Sequence, residues 1–456
     1  MPNMNEKNGA IKGRNPISAN CEPSFANPEV AEGAIWIEED KWRSDKSYPG
    51  IVKGTVTDTG AKDVVIKSDV NRLNGVVVWS GWNEYTLEDA KIQLGGYGCS
   101  DFTSRGAGAL ATNTGTLTIK GSEITTRGGG RCATIATSGS TLRVYDSKLS
   151  AYGGELPPDY KPVIGPGMME PPYPLGLSGN ARTHLSMDGS RSFFYNCDVY
   201  AAAWGAFSTD ASGGCLYLEV NNSRVTVDGN GYGTYADNGC HNFFNGCKFK
   251  SGNMLAIQDG NSSVTLKDSS AVCGGVGFLL HGGLPEYIDV GIIELQDCDI
   301  RAKKEVFLAK TTNVDLYVKG GKLTSDAGVI LRSMVTDDQI YYERGSRGPA
   351  VYGVQATFED LQLTGDLLHE DTERKMCLSL VNAALTGAIT GDPTLAMHGK
   401  CSWKATRDSA VTFVGAVDTA AIDAPTGVVI TARAGDGCAL AAGVTTLASG
   451  GKLVVS

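Results

Sequence analysis

Short runs of alternating apolar and polar residues recur along the chain, each followed by Asp, Asn or Gly, then Ser or Cys, then another apolar position. Gly115-Thr-Leu-Thr-Ile-Lys-Gly-Ser-Glu-Ile124, Ser140-Thr-Leu-Arg-Val-Tyr-Asp-Ser-Lys-Leu149 and Leu216-Tyr-Leu-Glu-Val-Asn-Asn-Ser-Arg-Val225 are clear copies. Alternation with period two predicts half-buried β-strands, and no helical 3.6-residue period competes with it. The Asp/Asn/Gly position runs through Asp89, Gly121, Asp146, Asn196, Asn222, Gly246, Asp268, Asp297 and Gly320, in steps of 32, 25, 50, 26, 24, 22, 29 and 23 residues. Self-similarity on this scale predicts a solenoid.

A second strand follows each copy, and its end can be aligned as well. Asp210, Asp237, Asp259, His281, Lys310 and Arg332 close these strands, with Leu175–Asn180 as the preceding member. The Ser/Cys position (Ser122, Ser147, Cys197, Ser223, Cys247, Ser269, Cys298) is expected to be a packed internal column. The 50-residue step carries a Pro- and Met-rich insertion over 153–177, a lid candidate followed at once by Arg182 and His184. A second excursion spans 333–353. Residues 1–50 read as an irregular cap, and 51–456 as one repetitive domain with weaker copies beyond Ala356.

Coils of this length with this rhythm resemble the right-handed parallel β-helix of the pectin-lyase-like superfamily, over roughly residues 60–330. The resemblance implies an all-β solenoid of about 10–13 coils. It does not specify an activity, because one fold hosts many chemistries.

Stacking turns the second column into candidate chemistry. Neighbouring coils lie about 4.8 Å apart, so Asp237 and Asp259 become near neighbours, and one carboxyl is expected to hold its proton for general acid work. Asp210 and Asp259, two coils apart, fall roughly 9–10 Å apart. His281 is placed as a base or proton shuttle, and Lys310, Arg332 and Arg182 as holders of an anionic group. His184 and the insertion residues Tyr173 and Met169 complete the expected substrate contacts. The competing reading is a ladder of turn residues, since Asp237-Asn-Gly and Asp259-Gly-Asn are good turn sequences. The strands feeding the column, such as Phe278-Leu-Leu, are apolar on both faces. Their outer face therefore calls for cover by an insertion, a terminal segment or a second subunit. Trp79, Trp82, Tyr85 and Tyr97 could form an aromatic wall, with buried packing as the alternative.

A net charge of −10 argues against nucleic acid and anionic membrane surfaces as partners. No apolar run is long enough for a membrane span, and the first residues lack a signal-peptide core. The expectation is a cytoplasmic protein with reduced cysteines. The favoured function is acid–base chemistry of lyase, isomerase or dehydratase type on a small or medium-sized substrate, without a cofactor. A polysaccharide lyase or glycoside hydrolase acting on acidic glycans is the alternative. The polygalacturonase pattern is matched in part by Ser208-Thr209-Asp210 and Leu280-His281-Gly282, but Gln258-Asp259 stands where that family has two aspartates. Its Arg-x-Lys finds only Arg301-Ala-Lys303. A pectate-lyase-like variant would require calcium held by the stacked carboxylates. A non-catalytic, adhesin-like solenoid is the third reading.

Overall fold

The computed structural model describes residues 33–99, 106–164, 167–210, 215–282, 290–338 and 352–456. They fall into two compact units, the first ending at Gly233 and the second beginning at Thr234. Coils carry up to three short strands, and most of these pair in parallel with their counterparts one repeat on. This is the all-β, right-handed parallel β-helix expected from the repeats, with the hand that parallel crossover connections take.

In the first unit the strands Glu84–Glu88, Thr116–Lys120, Thr141–Tyr145, Arg191–Tyr195 and Leu216–Asn221 form one stack. The strands Gly60–Ser68, Lys91–Leu94, Glu123–Thr126, Lys148–Ala151, Asp198–Ala201 and Arg224–Val227 form a second. A third runs through Gly33–Glu38, Asn74–Val78, Ala109–Ala111, Thr134–Ala136, Arg182–Met187 and Trp204–Asp210. Inward positions stack like on like. Leu87, Ile119, Val144, Phe194 and Val220 are fully buried in one file, and Ile66, Ile92, Ile124, Leu149, Val199 and Val225 are buried in another. Each such side chain contributes about 1.5–3 kcal/mol by leaving water.

The corner between the first two stacks explains the repeated phrase. Asp89, Gly121, Asp146, Asn196 and Asn222 all adopt left-handed backbone conformations, with φ between 48° and 57°. Asp, Asn and Gly are the residues that tolerate this region. The serine that follows does more than pack. Ser122 Oγ accepts the Ala90 amide and Ser147 Oγ the Ser122 amide, while both hydroxyls donate to carbonyls of their own coil. Ser223 receives the Cys197 amide in the same way. The buried column is therefore a hydrogen-bond ladder that ties successive coils together.

The second unit repeats this plan. Its strands include Cys240–Asn245, Ser263–Lys267, Gly291–Gln296, Val314–Lys319, Val354–Glu359, Met376–Val381 and Thr394–His398 in one continuous stack. Met254–Asp259, Phe278–His281, Phe307–Lys310, Val329–Met334, Asp366–Glu370 and Ile389–Thr390 form another. The last strand, Lys452–Val455, pairs antiparallel with Gly443–Thr446.

Two sequence expectations need correction. Within the expected cap, Gly33–Glu38 is a full strand paired with Asn74–Val78, because its Ala-Ile-Trp-Ile run is buried like any other coil. Leu175–Asn180 is not a member of the strand column. Tyr173–Leu175 is a single 3-10 turn, and the strand is Arg182–Met187, which sets Met187 rather than Asn180 level with Asp210. Asn180 instead bonds both backbone groups of Gly154 at the root of the insertion. Of the 333–353 excursion, residues 339–351 lie outside the described residues.

Candidate functional site

In the second unit the repeat ruler works for three of the predicted residues. Asp259, His281 and Lys310 are direct register partners on adjacent strands. Asp259 Oδ1 lies 4.0 Å from His281 Nδ1, and both side chains are nearly buried. Lys310 turns to Asp337, with Nζ 2.5 Å from Oδ1. Arg332 breaks the file. It pairs with Leu308, and Met334 stands opposite Lys310, because the step into this strand is 24 residues rather than 22. Its guanidinium is held by Glu370 at 2.7 Å and Glu305 at 3.4 Å, and the Glu370 hydrogen bonds raise its pKa. It is engaged by protein carboxylates rather than presented to a ligand.

Asp237 follows its strand and is half-buried. The Cys240 amide donates to the Asp237 carbonyl, and the Ser262 amide to the Asp259 carbonyl. Both aspartates therefore open four-residue turns, the geometry of the turn-ladder reading. Asn238 and Asn261 then exchange bonds with each other's turns.

In the first unit four of the predicted residues, Arg182, Asp210, His184 and Met169, are held in the interior. Arg182 Nη1 and Asp210 Oδ2 form a buried ion pair, and the Arg182 guanidinium also stacks 4.9 Å from the Trp204 ring centre. Neither charge is available as an acid or an anion holder, since each neutralises the other out of water. His184 is fully enclosed between Thr134 and Ser186, which bond its two ring nitrogens, and its ring meets Phe194 and Phe207 edge-on. Burial pushes its pKa down to about 3, so the imidazole is a neutral part of the core. Met169 is also interior, packed on Cys99 with Tyr97, Leu156 and Tyr160 around it. It anchors the insertion rather than facing a substrate. Tyr173 is 70% exposed and borders a cavity of about 460 Å³ formed within the insertion, with Tyr160, Pro162, Glu170 and Leu177.

The aromatic wall does not form. Trp79 stacks on Trp36, Tyr85 is buried, and Trp82 is fully exposed. Among the described residues no three His, Cys, Asp or Glu side chains converge to hold a metal ion. Among the same residues no helix is long and apolar enough to cross a membrane.

A polar surface cleft lies elsewhere in the first unit, on the second strand of each coil. A cleft of about 450 Å³ is lined by Lys67, Asp69, Gln93, Glu123, Thr125, Arg127, Lys148, Ser150 and Tyr152, with Leu94, Gly95 and Gly96. Register sets Lys67, Gln93, Thr125, Ser150 and Tyr200 in one row across five coils. Just beyond the strands, Arg127 lays its guanidinium carbon 3.8 Å from the centre of the Tyr152 ring. Tyr152 in turn packs on Tyr200 at 5.0 Å, and the Tyr200 hydroxyl donates to Asp228 at 3.0 Å. Partial burial and that carboxylate push the Tyr200 pKa up to about 12, so its hydroxyl keeps its proton. Lys67, Arg127 and Lys148 make no ion pair among the described residues, whereas Glu123 has Lys91 at 3.9 Å.

The wall behind Gly95 and Gly96 is fixed by Arg131, a fully buried side chain donating to the carbonyls of Val70, Leu73, Gly96 and Gly106 at 2.6–2.9 Å. Burial lowers its pKa to about 10, still well above neutrality. Glycine is required at 96, where φ is +68° and a Cβ would meet Asn71 Oδ1 at 2.5 Å.

Sequence reasoning missed this site because the ruler was applied to only one strand of the coil. Counting six residues from the corner finds it: Asp89 leads to Gly95, Gly121 to Arg127, Asp146 to Tyr152 and Asn222 to Asp228.

No family model matches the chain, and no curated protein does. Among solved structures the chain is similar to the tailspike protein gp49 from Pseudomonas phage LKA1, at 12% identity and a TM-score of 0.28. The match covers 81% of this chain and 53% of that one, so it spans about half of the tailspike chain.

Proposed function

We propose that the protein binds a saccharide chain in the cleft of its first unit. The observation that carries this reading is the Asp228–Tyr200–Tyr152–Arg127 stack at the edge of an open polar cleft. The lining is made of amide, hydroxyl and charged groups and the Tyr152 ring, with Leu94 as the one aliphatic side chain bordering it among the described residues. A lipid would call for a continuous aliphatic surface, which such a lining lacks. A hydroxyl-rich chain matches it, because each sugar unit can trade water for side-chain hydrogen bonds without burying an unpaired group. Rows repeating every coil, about 4.8 Å apart, suit a repeating polymer laid across the strands.

Binding of the purified protein to an array of oligosaccharides tests this reading. Wild type is expected to retain a restricted set, and Tyr152→Ala to weaken each of them about tenfold without lowering the melting temperature. Unchanged binding by Tyr152→Ala and by Lys148→Ala would remove the cleft from the function.

A second reading is favoured by one observation, the register of Asp259, His281 and Lys310 in the second unit. A carboxylate and an imidazole on adjacent strands can move a proton, as a lyase or isomerase requires. If that pair is catalytic, Asp259→Asn and His281→Gln each abolish turnover of a bound saccharide while leaving its affinity unchanged. Full turnover in both variants would sink it.

A further inference from the structure

We infer that the cleft selects saccharides carrying an anionic substituent, a carboxylate or a sulfate, and that Arg127 is the residue that reads it. This inference rests on the saccharide reading above and narrows it. Three cations line the cleft without ion pairs among the described residues, Lys67, Arg127 and Lys148, and all three are exposed. The acidic groups in the lining are Asp69 and Glu123. Glu123 has Lys91 nearby at 3.9 Å, and Asp69 lies against Gly95, where an added Cβ would meet its Oδ1 at 2.1 Å.

Arg127 differs from the two lysines in being oriented. Its guanidinium stacks on Tyr152, and Tyr152 is backed by Tyr200, which is tethered to Asp228. A stacked guanidinium keeps its N–H edges in plane and free to bond, the fork that meets carboxylate or sulfate oxygens two at a time. At the preceding coil the matching position is Gly95, which has no side chain to cover the other face of Arg127. An oriented, uncompensated arginine on a protein of net charge −10 is a local exception to the repulsion that anions otherwise meet. Tyr152 and Tyr200 are positioning residues in this arrangement, acting through Arg127.

The test is titration calorimetry with three hexasaccharides: a uronic acid, the methyl ester of that same oligosaccharide, and a sulfated neutral sugar. Wild type is expected to bind one or both charged forms at least tenfold more tightly than the ester, with an affinity that falls as salt rises. Which charged form binds distinguishes carboxylate from sulfate. Arg127→Gln is expected to reduce the preference for the charged form to within about twofold, and Arg127→Lys to retain part of it. Tyr152→Leu is expected to weaken the charged form more than the ester. Binding of neither charged form more tightly than the ester by wild type, or an undiminished preference in Arg127→Gln, would overturn the inference and leave the saccharide reading standing. Failure of all three sugars, and of the oligosaccharide array, would overturn both.

Discussion

Arg182 and Asp210 form an ion pair in which both side chains are almost completely withdrawn from water, at 2% and 7% exposure. Both residues appeared in the sequence as candidates for chemistry, and the fold uses them against each other. Removing one partner strands the other charge in the interior. Arg182→Met and Asp210→Asn are each expected to cost about 3–5 kcal/mol. The double variant Arg182→Met/Asp210→Leu should recover most of that loss, because no buried charge then remains unpaired. Urea denaturation of the four proteins measures this, and additive losses in the double variant would contradict it.

His184 gives the protein a defined acid sensitivity. Its imidazole titrates at about 3 in the folded chain because burial disfavours the charged form, against an ordinary value near 6.5. Between those values the unfolded chain holds a proton that the folded chain does not, so protons favour unfolding and stability rises with pH. The contribution is complete above pH 6.5 and declines by about 1.4 kcal/mol per unit as the pH falls towards 3. His184→Gln should flatten the slope of stability against pH below 6.5, relative to wild type. An identical slope in the two proteins would show that the ring titrates normally.

Arg131 joins four carbonyls from three separate backbone segments, including the Gly96 turn that borders the cleft. Charged hydrogen bonds of this kind contribute about 1.5–3 kcal/mol each, though not additively. Arg131→Met is expected to destabilise the protein by at least about 3 kcal/mol. It should also weaken saccharide binding although the side chain is buried away from the ligand. Arg131→Lys, which keeps the charge but not the planar fork, should fall between the two. Thermal melts together with calorimetry check both effects, and a variant as stable as wild type would contradict the first.

The coil architecture was legible because two local rules coincide at every repeat. Alternation set the strands, and Asp, Asn or Gly marked the left-handed corner, as at Asp89, Asp146 and Asn222. The ruler also placed Asp259, His281 and Lys310 correctly in register. It failed at Arg332, where a coil gained two residues, and at Asn180, where the insertion displaced the strand start to Arg182. Neither change alters local alternation, so periodicity could not reveal it. The cleft lay outside the aligned strand-end column for a different reason. Arg127, Tyr152 and Asp228 sit just beyond strand ends, outside the alternating pattern, and only three-dimensional stacking joins them to Tyr200. Arg131, within a Gly-rich turn, carried no pattern at all.

The most direct measurement is a crystal structure of the full chain soaked with the tightest-binding hexasaccharide from the titrations. The saccharide reading predicts ordered sugar density along the cleft between Lys67 and Lys148, with an anionic substituent within hydrogen-bond distance of the Arg127 guanidinium. Sugar density only beside Asp259 and His281, or in the insertion cavity at Tyr173, with the cleft of the first unit empty, would contradict it.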